Sequence, residues 1–228
     1  MHHSEFAALP AEWRNYLGRR RLARVTTGMG GASLWRLAGS GAGDEQYLKL
    51  ASGEAAHDLR AEAERTIWLG SRKIRVPRIL GEFYRDGFAA VRMSALPGIP
   101  ADQADAAKSV PLLAGAIDAR NFAARNVGVT PAQLYARLDK EIPLEDDFVV
   151  VHGDPWLSNI LIDPSGDVGF VDCGRSGRSD RYTDLAILFE SLTELFGEAA
   201  ANAFLRAYGI EGLDRGRLWF FRDLYELF

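Results

Sequence analysis

Two prolines and a glycine fall within Ser94–Pro100, and the hydrophobic pattern differs on the two sides of that stretch. Before it, short apolar runs alternate with turn residues, as strands require; after it, apolar residues recur mostly at helical spacing. One regular layer cannot accommodate both patterns. The expectation is an α+β chain with a small β-rich lobe over residues 1–95, a linker, and a larger helical lobe over residues 96–228.

In the first lobe, Phe6, Leu9, Trp13 and Leu17 predict an opening amphipathic helix. Strands are expected at Arg24–Thr27 and Ser33–Leu37, separated by the glycine turn Gly28-Met29-Gly30-Gly31, and at Gln46–Leu50 after the loop Gly39–Gly43. Glu54–Gly70 places Ala56, Leu59, Ala63 and Ile67 on one helical face. Arg78–Tyr84 and Phe88–Met93 read as a hairpin turning at Arg85-Asp86-Gly87. In the second lobe, helices are expected near Ala104–Ala119, Pro131–Lys140, Thr183–Leu195, Glu198–Tyr208 and Asp214–Leu227. A strand island interrupts them: Phe148–His152, then Ile160–Ile162 and Val168–Val171 about the turn Asp163-Pro164-Ser165-Gly166.

Composition narrows the function classes. The longest stretches without a charged side chain, Val25–Trp35 and Asn126–Ala136, hold 11 residues each. A spanning helix needs about 20 mostly apolar residues, so no membrane segment is expected. Nor does a basic start followed by an apolar run suggest a secretory signal. The single cysteine, Cys173, excludes an internal disulfide and fits a reducing cytoplasm. A net charge of −4 has the wrong sign for a nucleic-acid binder. That charge is uneven: residues 1–40 carry six arginines against Glu5 and Glu12, whereas residues 180–228 carry nine acids against five arginines. Solvated surfaces account for most such imbalances. The sharper reading is an anion handled by the front half and a cationic ligand attracted by the back half.

The densest chemistry lies in His152-Gly153-Asp154-Pro155-Trp156-Leu157-Ser158-Asn159, followed by Val168-Gly169-Phe170-Val171-Asp172-Cys173-Gly174. Phosphoryl transfer from ATP needs a carboxylate facing the acceptor hydroxyl and oxygen ligands that hold Mg²⁺ on the phosphates. An aspartate with an asparagine five residues later can supply both from one loop: Asp154 toward the hydroxyl, and the Asn159 amide oxygen toward the metal. Asp172, returned beside Asn159 by the hairpin, adds a hard anionic oxygen suited to Mg²⁺. The spacing matches the kinase catalytic loop, with His-Gly-Asp for His-Arg-Asp and Asp-Cys-Gly for Asp-Phe-Gly. Singly, each residue could cap a turn or end a strand; their joint order favours chemistry. His152 reads as a structural residue of the loop.

On these motifs, together with the run from Gly169 to Asp184 and Met93-Ser94 with Pro97-Gly98, the sequence resembles the aminoglycoside phosphotransferases, in particular their 3′-phosphotransferase branch. The resemblance runs from about Thr26 to the C-terminus. It implies a kinase-like two-lobed fold acting as a monomer on ATP, Mg²⁺ and a polycationic aminoglycoside. Gly28, Met29, Gly30 and Gly31 would form the nucleotide loop. Lys49 would pair with the phosphates and with Glu62, and the backbone of Ser94 to Leu96 would meet adenine. Asp154 and Arg175 would be catalytic, Asn159 and Asp172 would hold the metal, and Asp184 would brace the loop. Glu194, Glu226 and the terminal carboxylate of Phe228 would bind substrate amines.

Three departures bear on the acceptor. Tyr225 stands where the family usually has an acid, and Glu190 stands where relatives carry arginine. The chain is also short between about Asp118 and Thr130, where relatives have an acidic helical segment. Alternative readings are a kinase of the same fold acting on a sugar, choline or a macrolide, and a nucleotide-binding relative that has lost transfer.

Overall fold

Along β3 (Gln46–Ser52) the side chains alternate between two separate hydrophobic clusters, because successive residues of a strand point to opposite faces. Leu48 and Leu50 join Phe6, Leu9, Leu17, Trp35 and Leu37 on one face, while Ala51 joins Leu59, Ala63, Val91 and Met93 on the other. The computed structural model describes residues 6–26, 31–39, 44–105, 131–143 and 147–226. It divides the chain into two compact units, Met1–Leu96 and Pro97–Phe228.

In the first unit, β3 is the centre of a five-stranded antiparallel sheet. Its order is β1 (Leu22–Val25), β2 (Ser33–Leu37), β3, β5 (Phe88–Ser94), β4 (Ile79–Arg85). The hairpin turn carries Asp86 at φ 45° and Gly87 at φ 72°, left-handed positions that aspartate and glycine tolerate best. The opening helix α1 is shorter than the spacing predicts and covers only Ala11–Leu17. Pro10, the residue before it, disfavours helical backbone at Leu9. Phe6 and Leu9 precede the helix and are still buried beside Leu17.

Helix α2 (Glu54–Ser71) packs on the opposite face with Ala56, Leu59, Ala63, Thr66 and Leu69 inward. Ile67 does not join them and is 50% exposed. Thr66 takes the inward place because its hydroxyl donates to the Glu62 carbonyl at 2.8 Å, which satisfies its polar atom within the helix.

The second unit is built around α4 (Tyr182–Phe196), whose nine buried residues include Asp184. It packs against α5 (Glu198–Tyr208) and α6 (Arg215–Tyr225). The last of these starts where the Asp214 side chain accepts from Arg217 N. Helix α3 (Pro131–Leu138) lays Leu134 and Leu138 on Phe220 of α6. Two small sheets complete the unit: β6 (Ile99–Pro100), β8 (Ile160–Ile162) and β9 (Val168–Phe170), and β7 (Phe148–Val151) with β10 (Gly177–Asp180).

Three expectations change here. Ile99–Pro100, read as linker, pairs with Ile162 and Leu161. Residues 101–103 make one 3₁₀ turn and Ala104 is extended, so no helix starts at Ala104; 106–119 lie outside the described residues. β10 was not anticipated, because Gly-Arg-Ser-Asp lacks apolar alternation. It is held instead by pairing with β7 and by the buried carboxylate of Asp180 on Arg217.

Candidate active site

The loop after β7 is fixed through its backbone. Asp184 is fully buried at the start of α4, and its two carboxylate oxygens accept from His152 N at 2.6 Å and Gly153 N at 3.0 Å. Bonds from backbone N–H to a buried carboxylate are among the stronger ones in a protein. The His152 ring adds two more. Its Nδ1 accepts from Asp154 N at 3.1 Å, so its Nε2 carries the hydrogen toward the Val171 carbonyl at 3.0 Å. Gly153 sits at φ 77°, and a Cβ there would overlap the Arg175 carbonyl oxygen. Glycine is therefore required where the kinase pattern has arginine.

Asn159 closes the loop from the far end. Its amide nitrogen donates to the Asp154 carbonyl at 2.9 Å, which leaves Oδ1 as the atom to offer a ligand. The β8–β9 hairpin pairs Ile160 with Phe170, and Val171 N donates to the Asn159 carbonyl at 2.9 Å. Asp172 is thereby returned beside Asn159. Its backbone is left-handed, with φ 62° and ψ 46°. Non-glycine residues seldom adopt that conformation, and they tend to do so at functional sites. Among the described residues, no three His, Cys, Asp or Glu side chains form a metal cage. Mg²⁺ needs none: it is commonly held by one or two protein oxygens together with substrate phosphates.

Tyr225, a departure from the family pattern in the sequence, reaches this loop. Its hydroxyl donates to Asp154 Oδ1 at 3.2 Å, and its ring lies 5.3 Å from the Arg175 guanidinium. Arg175 belongs to the short 3₁₀ turn Cys173–Arg175. Sequence pattern could not reveal this contact, because 71 residues separate Tyr225 from Asp154.

One of the predicted substrate acids, Glu226, meets a buried cation. Arg222 is 1% exposed; its Nε donates to Glu190, its Nη1 lies 3.2 Å from Asp223, and its Nη2 lies 3.6 Å from Glu226. Asp223 is also paired with Arg137. Burial pushes the Glu190 carboxyl up to about 7; Arg222 draws it back, while Glu194 and Glu226 add to the rise. Glu194 and Glu226 therefore share one electrostatic neighbourhood with Glu190, the residue noted in the sequence only as a departure. Phe228 lies outside the described residues.

In the first unit, Lys49 donates to Glu62 Oε1 at 2.6 Å, with side chains 14% and 12% exposed. Period-two alternation turns Lys49 away from Leu48 and Leu50, toward α2. Removing either partner of such a desolvated pair would leave an uncompensated buried charge, so Lys49 and Glu62 fix each other in place. Ser94 ends β5, where its hydroxyl accepts from Arg78 N at 2.9 Å, and Leu96 is the last residue of the unit. A Cβ on Gly31 would lie 3.0 Å from Ala55 Cβ, so this glycine also allows a close approach to α2. Gly28, Met29 and Gly30 lie outside the described residues.

Residues 111–219 match the phosphotransferase enzyme family. The aminoglycoside 3′-phosphotransferase of Streptomyces fradiae is 30% identical over 253 residues, covering 90% of this chain and 94% of that protein. That span exceeds the 228 residues of this chain, so the relative carries segments that this chain lacks. The short stretch 118–130 expected from the sequence lies outside the described residues. Among solved structures, a crystal structure of an aminoglycoside-3′-phosphotransferase of type VIII aligns over 100% of both chains, with TM-score 0.82 and 30% identity. An aminoglycoside phosphotransferase APH(3″)-Id from Streptomyces rimosus, in complex with ADP and streptomycin, aligns over 98% of both chains, with TM-score 0.77 and 28% identity. The fold is the kinase-like α+β fold of these enzymes, and the chain belongs to the aminoglycoside phosphotransferase family.

Proposed function

We propose that this enzyme transfers the γ-phosphate of ATP to a hydroxyl of an aminoglycoside, of the 3′-hydroxyl type. The observation that carries the reading is the loop Asp154–Asn159, clamped at 2.9 Å and faced by the returning Asp172. Asp154 accepts the acceptor's proton as the hydroxyl attacks. Catalysis of this kind is largely positioning, which is what a loop held by Asp184, His152 and Asn159 supplies.

Asn159 and Asp172 would hold Mg²⁺, which when bound neutralises charge on the phosphates and the leaving ADP. Lys49, held by Glu62, pairs with the nucleotide phosphates, and the Gly28–Gly31 backbone approaches them. The backbone of Ser94 to Leu96 meets adenine. Arg175 counters charge on the transferred group. Glu194 and Glu226 attract the ammonium groups of the acceptor, and the enzyme acts as a monomer. Among the described residues no helix is long and apolar enough to cross a membrane.

The test is ADP release from Mg-ATP across kanamycin, neomycin and a panel of sugars, choline and macrolides. Release stimulated by the aminoglycosides alone is expected. Stimulation by another acceptor would keep the kinase chemistry and discard the aminoglycoside. Stimulation by none would leave a nucleotide-binding relative that has lost transfer.

A further inference from the structure

We propose that Tyr225 is a second, intramolecular phosphoryl acceptor of this centre, so that the enzyme phosphorylates itself on Tyr225 when no small-molecule acceptor is present. The inference rests on the proposed role of Asp154 as the proton acceptor. A hydroxyl is activated in such a site by donating a hydrogen bond to the catalytic carboxylate. Tyr225 makes that bond, its Oη lying 3.2 Å from Asp154 Oδ1. The chain thus holds a hydroxyl of its own where an acceptor hydroxyl is required to be.

Three further features fit an acceptor rather than a filler. A phenol gives up its proton more readily than a sugar alcohol, whose pKa lies far above the tyrosine value of about 10. Tyr225 is the last residue of α6 and is only partly buried. Arg175 lies 5.3 Å from its ring, a cation able to pair with a phosphate carried on the phenol oxygen. By contrast, the tyrosine of this unit that serves the core is enclosed: Tyr182 is 6% exposed, and its hydroxyl accepts from Asp214 N.

The step balances with ATP as donor. The bond from the γ-phosphorus to the bridging oxygen breaks, a bond from the γ-phosphorus to Tyr225 Oη forms, the phenol proton passes to Asp154, and ADP departs. Phosphotyrosine then stands against Asp154 and blocks it, so the modification switches off transfer to other acceptors. An aminoglycoside bound first competes for the same carboxylate oxygen and protects the enzyme.

The purified full chain is incubated with Mg-ATP without acceptor and digested, and the peptides are sequenced by mass spectrometry. One added phosphoryl group on Tyr225 is expected, lost in Asp154→Asn and reduced several-fold when kanamycin is present from the start. A thermal shift with Mg-ATP shows that the Asp154→Asn protein is folded. Direct site mapping in the unaltered chain makes the result independent of whether Tyr225→Phe folds. An unmodified Tyr225 in a preparation that turns over kanamycin overturns the inference and leaves the proposed function standing. Label on Tyr225 with no kanamycin turnover even when kanamycin is added before Mg-ATP upholds the inference and removes the substrate assignment. Label that persists in Asp154→Asn, or that falls only on other residues, overturns the inference. A chain that neither labels itself nor transfers overturns both.

Discussion

The loop 152–159 and the acidic face of α4 and α6 lie in the same unit but are held by different physics. The loop is fixed through its backbone: the side chains of Asp184, His152 and Asn159 all bond to main-chain atoms, and the Asp154 carboxylate accepts from the Tyr225 hydroxyl. The acidic face is fixed by side-chain charge, with one buried arginine among Glu190, Asp223 and Glu226. In the first region, the proposed catalytic carboxylate can be removed while the side-chain bonds that brace the backbone stay in place. In the second, Arg222 and Glu190 hold α6 to α4, and the proposed substrate acid Glu226 shares that same arginine. Acceptor preference and stability are therefore coupled there, whereas phosphate chemistry and stability are separate.

The largest test of this contrast is Asp154→Ala. It is expected to lower acceptor-dependent ADP release about 10²- to 10⁴-fold, the usual contribution of a positioned base, with an unchanged urea midpoint. A fall in that midpoint would break the separation. Arg222→Ala should do the reverse, costing about 3–5 kcal/mol of unfolding free energy because it strands buried carboxylates. Equilibrium urea denaturation measures it, and an intact midpoint would show that α6 is held by its apolar contacts alone. Asp184→Asn removes one of two acceptors from the buried His152 and Gly153 amides, at about 1–3 kcal/mol, and should lower turnover as well because the loop loses its brace. Unchanged turnover would mean that the remaining bonds suffice to place Asp154.

The smallest effect concerns pH. Glu190 holds its proton up to about pH 7 when folded, against an ordinary value of 4.5. Between those values the folded chain binds more protons than the unfolded chain, so this group makes stability fall as pH rises through the window and level off above it. Glu190→Gln keeps an acceptor for Arg222 and should flatten that part of the profile. Urea midpoints of both proteins at a series of pH values give the difference, and parallel profiles would place the titration elsewhere.

Particular residues show how far the sequence could be read. The alternation Leu48-Lys49-Leu50 turned Lys49 toward one face of a strand, but α2 offers Asp58, Glu62 and Glu64, and only packing selects Glu62 as its partner. The spacing of Asp154, Asn159 and Asp172 was legible because one loop and one hairpin bring them together. Tyr225 and Glu190 were visible only as departures from a family pattern, since their partners lie 71 and 32 residues away. Ile67 matched the helical period as well as Thr66 did, and an internal hydrogen bond decided which turned inward.

The sequence by itself determined most of the strands and helices among the described residues, and the loop with its returning hairpin. All of these follow from periodicity and turn chemistry acting over a few residues. The tertiary structure decided which buried charges meet, what braces the loop, and that a tyrosine hydroxyl rests on the proposed base. Those outcomes depend on how separate elements pack, and a side chain selects such a partner only once the chain has brought it within reach.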